Sequence, residues 1–287
     1  MRHVDITAEF EQHRQHLFGV AYRMLGSVSE AEDVLQNAWL RWQSAETDGL
    51  ANARGFLTTV VTRLCLDELS SAHARRVTYV GPWLPEPLIS AEDDPLVAVE
   101  RAESLSTAFL VLLESLSPLE RAAFVLHAVF AYPYDEIAAM LDRTPAACRQ
   151  LVSRAQRHVD ARPRRFPTRG DEGRELVQRF AFACATGDLE AVLAVLSEDV
   201  VVLSDGGGAV HAARRPLVGA EAARFLLRVA SMRTPTVTVA PVFVNGGWGI
   251  AVRDGESLRS VASFVMSDGR ICAVHQVLNP AKLTHVG

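Results

Sequence analysis

The chain has 287 residues, 49% of them hydrophobic, and a formal net charge of −5 at neutral pH. That is room for two domains of ordinary size with real apolar cores, so a wholly disordered chain is excluded. The negative balance also excludes a generic nucleic-acid coat, yet the basic charge is uneven: from Asp142 to Arg169 eight Arg stand against only Asp142 and Asp160. Lys282 is the only Lys, which reads as a compositional bias toward Arg. Cys65, Cys148, Cys184 and Cys272 are widely spaced in apolar patterns without metal-ligand spacing, and read as buried free thiols. The N-terminus is polar and no apolar run reaches spanning length, so a cytoplasmic protein without membrane contact is expected.

In chain order, Glu9 to Leu25 forms an amphipathic helix that Gly26 can end. Ser29 is placed to open the next helix, with Glu32 completing a capping box. Its inner stripe is Ala31, Val34, Leu35, Ala38, Trp39 and Trp42; Asp33, Gln36, Asn37, Leu40 and Arg41 face outward. An outward Leu among carboxylate and amide groups suits a protein-binding surface, although a solvated face with one stray Leu fits the pattern equally. After a loop at Asp48–Gly49, a helix over about Ala53 to Ala72 turns Leu57, Val60, Val61, Leu64 and Cys65 inward. Its expected outer face is Thr58, Thr59, Thr62, Arg63, Asp67 and Ser70, followed by Arg75 and Arg76. Hydroxyls with Arg can hold a single strand and its phosphates; a merely solvated polar face is the alternative.

Tyr79 to Leu88 breaks the helical pattern with three prolines and reads as a stiff, extended linker. Trp83 and Leu84 are poor residues to leave in water, so this linker is expected to dock. Ala91 to Asp94 is an acidic connector, and a helix from about Pro95 to Leu116 follows. Ser117, Pro118 and Glu120 are a cap, a first-turn proline and a capping-box partner for the next helix. Then come a short helix Tyr134 to Leu141, a tight turn Asp142-Arg143-Thr144, and a helix capped by Thr144 that starts at Pro145. Cys148, Leu151, Val152 and Ala155 line the inner face of that last helix; Arg149, Gln150, Ser153, Arg154 and Arg157 lie largely outside it. A helix-turn-helix whose free face is Arg, Gln and Ser is what major-groove reading requires, against the plainer reading of a helical hairpin with a solvated basic face.

An Arg/Pro/Gly-rich segment after Val159 reads as a second linker. Helices are expected at Glu172 to Thr186 and Leu189 to Leu196, a strand at Val200 to Leu203, and a helix at about Ala220 to Ser231. Strands near Thr236 to Val244, Trp248 to Val252, Leu258 to Val265 and Ile271 to Leu278 are separated by Asn245-Gly246, Asp254-Gly255 and Asp268-Gly269 turns. Helices followed by an antiparallel meander predict an α+β domain with a curved sheet.

AEDVLQNAWLRW (31–42), GFLTTVVTRLCLDEL (55–69) and the helix-turn-helix together resemble an extracytoplasmic-function (ECF) sigma factor of the sigma-70 family. The last third resembles a SnoaL-like domain, an α+β fold with a cone-shaped curved sheet. GPWLPEPL in the linker, DGGG at 205–208 and NPAKL at 279–283 are similar to the marks of the ECF subgroup that carries such an extension. The resemblance implies a multidomain chain: two all-α domains, region 2 over 1–77 and region 4 over 95–160, with linkers at 78–94 and 161–171 and a regulatory domain at 172–287. It implies that Asp33, Gln36, Asn37 and Leu40 dock on core RNA polymerase, whose β′ clamp and β flap are the expected contacts. It further implies −10 promoter DNA contacts from Arg54, Thr62, Arg63, Asp67, Ser70, Arg75 and Arg76, and −35 contacts from Arg149, Gln150, Ser153, Arg154 and Arg157. Trp83, Leu84 and Pro85, with Asp205, Gly206, Gly207, Asn279, Pro280 and Lys282, would then be regulatory. Asn37 and Ala281 depart from the acidic residues usual at those places.

No cofactor, metal or covalent chemistry is expected. An isomerase or cyclase would need a carboxylate or His base with a polar partner, for which Asp205, His211 and His275 are the available groups. Asp205 in a Gly-rich turn, and both His, read more simply as structural or surface residues, and Trp248 as core. Two rivals remain: a DNA-binding regulator whose C-terminal domain senses a small-molecule or protein ligand, and such an enzyme with a helical DNA-binding appendage.

Overall fold

A computed structural model describes residues 6–45, 52–77, 79–90, 102–161, 170–232 and 234–285, without the side chains of 71–77, 102 and 103. Packing divides the chain into two units. Met1–Val77 with Leu112–Pro163 form the first, and Thr78–Val111 with Arg164–Gly287 form the second.

The first unit is all helix. α1 (Ile6–Leu25), α2 (Val28–Ser44) and α3 (Ala53–Val77) pack together, and α5 (Pro118–Phe124), α6 (Tyr134–Leu141) and α7 (Pro145–Asp160) complete it. α1 ends where Gly26 takes a left-handed φ of 69°. The cap of α2 is Ser27, whose side chain accepts from the Glu30 amide, two residues earlier than the expected Ser29. The two hydroxyls are 3.0 Å apart, and Ser27 has the extended backbone a cap needs. Ser117 and Glu120 do form the capping box of α5. That helix continues into a π-turn, Val125–Val129, which ends at Phe130, and Ala131 follows with a left-handed φ of 58°.

The stretch expected as one helix from Pro95 to Leu116 is interrupted: a 3₁₀ turn at Ala102–Leu105 and a short α4 (Thr107–Leu113) meet at Ser106. The Ser106 hydroxyl accepts from the Phe109 amide, the bond by which serine starts a new helix. The first part of that helix, the acidic connector at 91–94, the Asp48–Gly49 loop and most of the second linker lie outside the described residues.

The second unit is the expected α+β fold. α8 (Gly170–Thr186), α9 (Leu189–Val195) and α10 (Ala220–Ser231) lie over one six-stranded sheet. Its strands are β1 (Leu196–Asp205), β2 (Leu217–Val218), β3 (Val237–Val244), β4 (Gly247–Asp254), β5 (Ser257–Ser267) and β6 (Arg270–Val277), in the order β2-β1-β6-β5-β4-β3. β3 to β6 form the antiparallel meander; β1 joins β6 in parallel, making the sheet mixed. Asn245-Gly246 and Asp268-Gly269 both have two successive positive φ values, the type I′ geometry that suits the strand twist.

Side chains alternate across the sheet. One face carries Val202, Ile250, Phe264 and Val274 against Val177, Phe180, Val192 and Ala223 of the helices. The other carries Val244, Val261 and Val277, and packs against Leu84 and Leu283, with Ile89 and Val111 alongside. The segment read as a linker is therefore the second cover of the sheet. It also extends the sheet edge: Ile89 makes a bridge to Val244, the Asn245 amide donates to Leu88, and the Ser90 amide donates to Phe243. No helix among the described residues is long and apolar enough to cross a membrane.

Candidate functional site

α6, the Asp142 turn and α7 have the helix-turn-helix form. Asp142 adopts φ 53°, and Thr144 accepts from the Ala147 amide at 3.2 Å with Pro145 in the first turn. Cys148, Leu151, Val152 and Ala155 are buried, which leaves Arg149, Gln150, Ser153, Arg154 and Arg157 exposed on one side of α7. Two of these are already oriented: Arg154 donates to Glu120 at 2.9 Å, and the Arg149 guanidinium lies 5.4 Å from the Tyr134 ring centre. Exposed Arg and Gln on a capped helix can read base edges and phosphates.

On α2 Ala31, Val34, Leu35, Ala38 and Trp42 of the expected inner stripe are buried, Trp39 is only half-buried, and Asp33, Gln36, Asn37 and Leu40 are exposed, Leu40 by 56%. Beside them a groove of about 470 Å³ runs between α1 and α2, with Phe10, Leu35 and Trp39 in its floor and Arg14, Glu32 and Asp33 at its rim. An apolar floor with a polar rim suits a protein partner.

α3 departs from expectation. Thr58 and Thr62 are fully buried instead of facing outward, and the Thr62 hydroxyl has no hydrogen-bond partner among the described residues. Helix α3 is packed by α1 and α2 and also by α5 and α6, so its buried stripe is wider than one face. Arg63, Asp67, Ser70 and Arg54 are exposed, while the side chains of Arg75 and Arg76 lie outside the described residues. Arg63 donates to two carbonyls at the end of α6, Met140 at 3.1 Å and Ala139 at 3.3 Å, where its charge complements the helix dipole.

A circuit of hydrogen bonds closes the same packing. Arg54 donates to His16 Nδ1 at 3.0 Å, which places the ring proton on Nε2. His16 Nε2 donates to the Tyr132 hydroxyl (3.0 Å), Tyr132 donates to Thr58 (3.0 Å), and Thr58 donates to the Arg54 carbonyl (2.8 Å). Burial, then the charges of Arg54, His13 and Arg23, push His16 down to about 3, so the ring is neutral as the circuit requires. Deeper in the unit, Arg121 is 3% exposed and donates to the Met24 carbonyl and to Glu114.

In the second unit, one cluster holds the chain segment around Trp83. Asp205, at the end of β1, is fully buried. Its carboxylate accepts from the Tyr79 hydroxyl (2.5 Å), the Leu84 amide (2.8 Å), the Gly207 amide (3.0 Å) and Lys282 Nζ (2.8 Å). Lys282 also donates to the Leu84 carbonyl, and its ammonium lies 4.1 Å from the Trp83 ring centre and 5.1 Å from that of Tyr79. Asn279 caps the turn Pro280–Lys282 and donates to the Tyr79 hydroxyl. Leu84, Pro85 and Gly206 are buried, Gly207 packs against Asn279, and Pro280 is exposed. Of the residues expected to be regulatory, Trp83, Leu84, Gly207, Asn279 and Lys282 thus converge on Asp205. Sequence reasoning missed Tyr79, though a signal existed: in a chain that otherwise uses Arg, the lone Lys marks a place where a compact ammonium is needed. His275 is buried and neutral, lowered to about 4 by desolvation, while His211 is exposed. Trp248 packs beside the helix-side core with the Arg174 guanidinium 5.3 Å from its ring centre.

Residues 10–75 match the model of sigma-70 region 2, and residues 106–159 that of sigma-70 region 4. The chain is 42% identical over 290 residues to the ECF RNA polymerase sigma factor SigJ of Mycobacterium tuberculosis strain H37Rv, covering 96% of this chain and 93% of the relative. It is 31% identical over 284 residues to the probable ECF sigma factor SigI of the same species, covering 98% and 96%. The crystal structure of M. tuberculosis SigJ superposes with a TM-score of 0.78 at 38% identity, over 97% of this chain and 98% of that one. Helical regions 2 and 4, a helix-turn-helix and a C-terminal α+β domain in this order place the chain in the extracytoplasmic-function sigma factors, non-enzymatic proteins that direct RNA polymerase to promoters.

Proposed function

We propose that the C-terminal domain controls this sigma factor in cis by holding the connector between regions 2 and 4. The observation that carries this is the Asp205 cluster: the covalent path from region 2 to region 4 runs across the sheet of that domain and is gripped by Asp205 and Lys282. In the unbound chain Arg63, on the proposed −10 face, is occupied by the α6 carbonyls. Reaching both promoter elements requires regions 2 and 4 to part, and a connector fixed to the sheet limits how far they can.

In this reading the outer face of α2 docks on the β′ clamp, with Leu40 as its apolar anchor. Region 4 docks on the β flap, the exposed polar groups of α3 meet melted −10 strand, and α7 enters the major groove at −35. Arg149 and Gln150, near the start of α7, read base edges; Arg157, two turns on, clamps a phosphate.

The test is transcription with core RNA polymerase on a promoter from upstream of the chain's own gene. The full chain is expected to initiate at a specific site, and deletion of Asn279–Gly287, which removes Lys282, to raise initiation. Unchanged initiation by the deletion form would sink control in cis. Failure of either form to co-purify with core would sink the assigned docking surfaces.

A further inference from the structure

A cavity of about 540 Å³ beside the glycine-rich turn after β1 serves none of these roles. Its polar walls are Ser204, His211 and Arg214, and no acidic residue among the described ones lines it. Val200, Val202 and Ser204 point to the same face of β1; the two valines enter the core, and Ser204 stands at the rim. Ser204 is 1% exposed, yet its hydroxyl has no hydrogen-bond partner among the described residues. A buried donor without a partner marks a place that a polar ligand can complete. The remaining walls are small and apolar, Val210 and Val80 among them.

We propose that this cavity binds a small amphipathic acid. Its carboxylate or phosphate is held by Arg214, His211 and Ser204, and a short apolar body rests against Val80 and Val210. Arg supplies the charge and the planar donor pair that oxyanions favour, and the cavity has the size of a small-molecule site.

The cavity is completed by the connector. Val80 and Gly81 form one wall. A Cβ at Gly208 would lie 3.3 Å from Val80, and one at Gly81 would lie 3.6 Å from the Arg214 backbone, so the two segments are in close contact. A ligand that needs this wall binds the docked connector better than the released one and shifts the population toward docking. On the proposed control in cis, on which this consequence rests, the ligand lowers initiation.

The experiment is calorimetric titration of the full chain with hexanoate and with hexyl phosphate, and with acetate and inorganic phosphate as probes lacking the apolar body. One hexyl compound is expected to bind more tightly than its body-less counterpart, and which one wins identifies the headgroup. Arg214→Ala, at an exposed position, is expected to weaken binding about tenfold, and Ser204→Ala several-fold. Binding that ignores both substitutions, or no binding of either hexyl compound at low-millimolar concentration, overturns the proposal. A saturating probe that lowers initiation by the wild type and not by Arg214→Ala supports both the site and the control. Binding that depends on Arg214 but leaves initiation unchanged supports the site and overturns the control in cis.

Discussion

Asp205 has no access to water, and an isolated carboxylate there would lose its hydration without return. Three donors besides Lys282 fill its lone pairs, so the cluster is a satisfied network and not a bare ion pair. Burial first, then the bonds to Asp205, pushes the Tyr79 phenol up, which keeps it the donor. Lys282→Met removes the counter-charge and leaves a buried anion. We expect a loss of about 3–5 kcal/mol in urea unfolding followed by tryptophan fluorescence. Asp205→Asn combined with Lys282→Met is expected to be less destabilised than Lys282→Met alone; equal losses would mean that the charge pair is not what matters. His275 gives the same unit a pH dependence. Its folded value, lowered to about 4, lies below the unfolded value near 6.5, so the unfolded chain takes up the proton first. Stability is complete above about pH 6.5 and declines as pH falls toward 4, by up to about 3 kcal/mol from this residue. His275→Gln should flatten that slope in unfolding measured between these pH values.

Among the elements, those with local chemical punctuation were legible in the sequence. The Ser117–Glu120 box, the Thr144-Pro145 start and the Asn-Gly and Asp-Gly turns each satisfy specific backbone groups, and each lies where expected. What was not legible depended on tertiary neighbours. Thr62 is polar and looks outward by single-face periodicity, but two sets of helices enclose α3. β1 is longer than its apolar run because Ser197 to Val200 fall in an irregularity of its pairing with β6. β2 has only two residues and no pattern to detect. The proline-rich segment carried apolar residues that demanded a partner, and nothing local named the sheet face that supplies it. The turn after β1 shows how tightly that face is closed. Gly207 has φ 59°, and a Cβ there would overlap the Asn279 amide. Gly207→Ala therefore meets both backbone strain and a clash, and should destabilise the second unit by about 1–3 kcal/mol in the same unfolding assay. A neutral outcome would show that the Asn279 turn moves away freely.

At the scale of the molecule, regions 2 and 4 share one packed unit although their family's task requires them to meet two separate promoter elements. On the proposed reading, in which the two regions part to meet both elements, the bonds that close this unit oppose binding. If core polymerase takes up only the open form, the apparent dissociation constant is the intrinsic one divided by the open fraction. The Arg54–His16–Tyr132–Thr58 circuit is the sharpest place to test this, because the Tyr132 hydroxyl joins helix α1 and α3 of region 2 to region 4. Tyr132→Phe keeps the ring and leaves His16 Nε2 and Thr58 each short of one partner, at a cost to the closed form of about 1–3 kcal/mol. Core affinity is then expected to rise, by about thirtyfold for the middle of that range. Leu40→Asp should act at the other step, weakening core binding by about tenfold through loss of an exposed apolar anchor, with no change in the unfolding midpoint. Because the two substitutions touch different equilibria, their effects on affinity should add in the double variant. A general loss of structure would make Tyr132→Phe bind core more weakly, so a rise in affinity separates a restraining contact from a merely structural one.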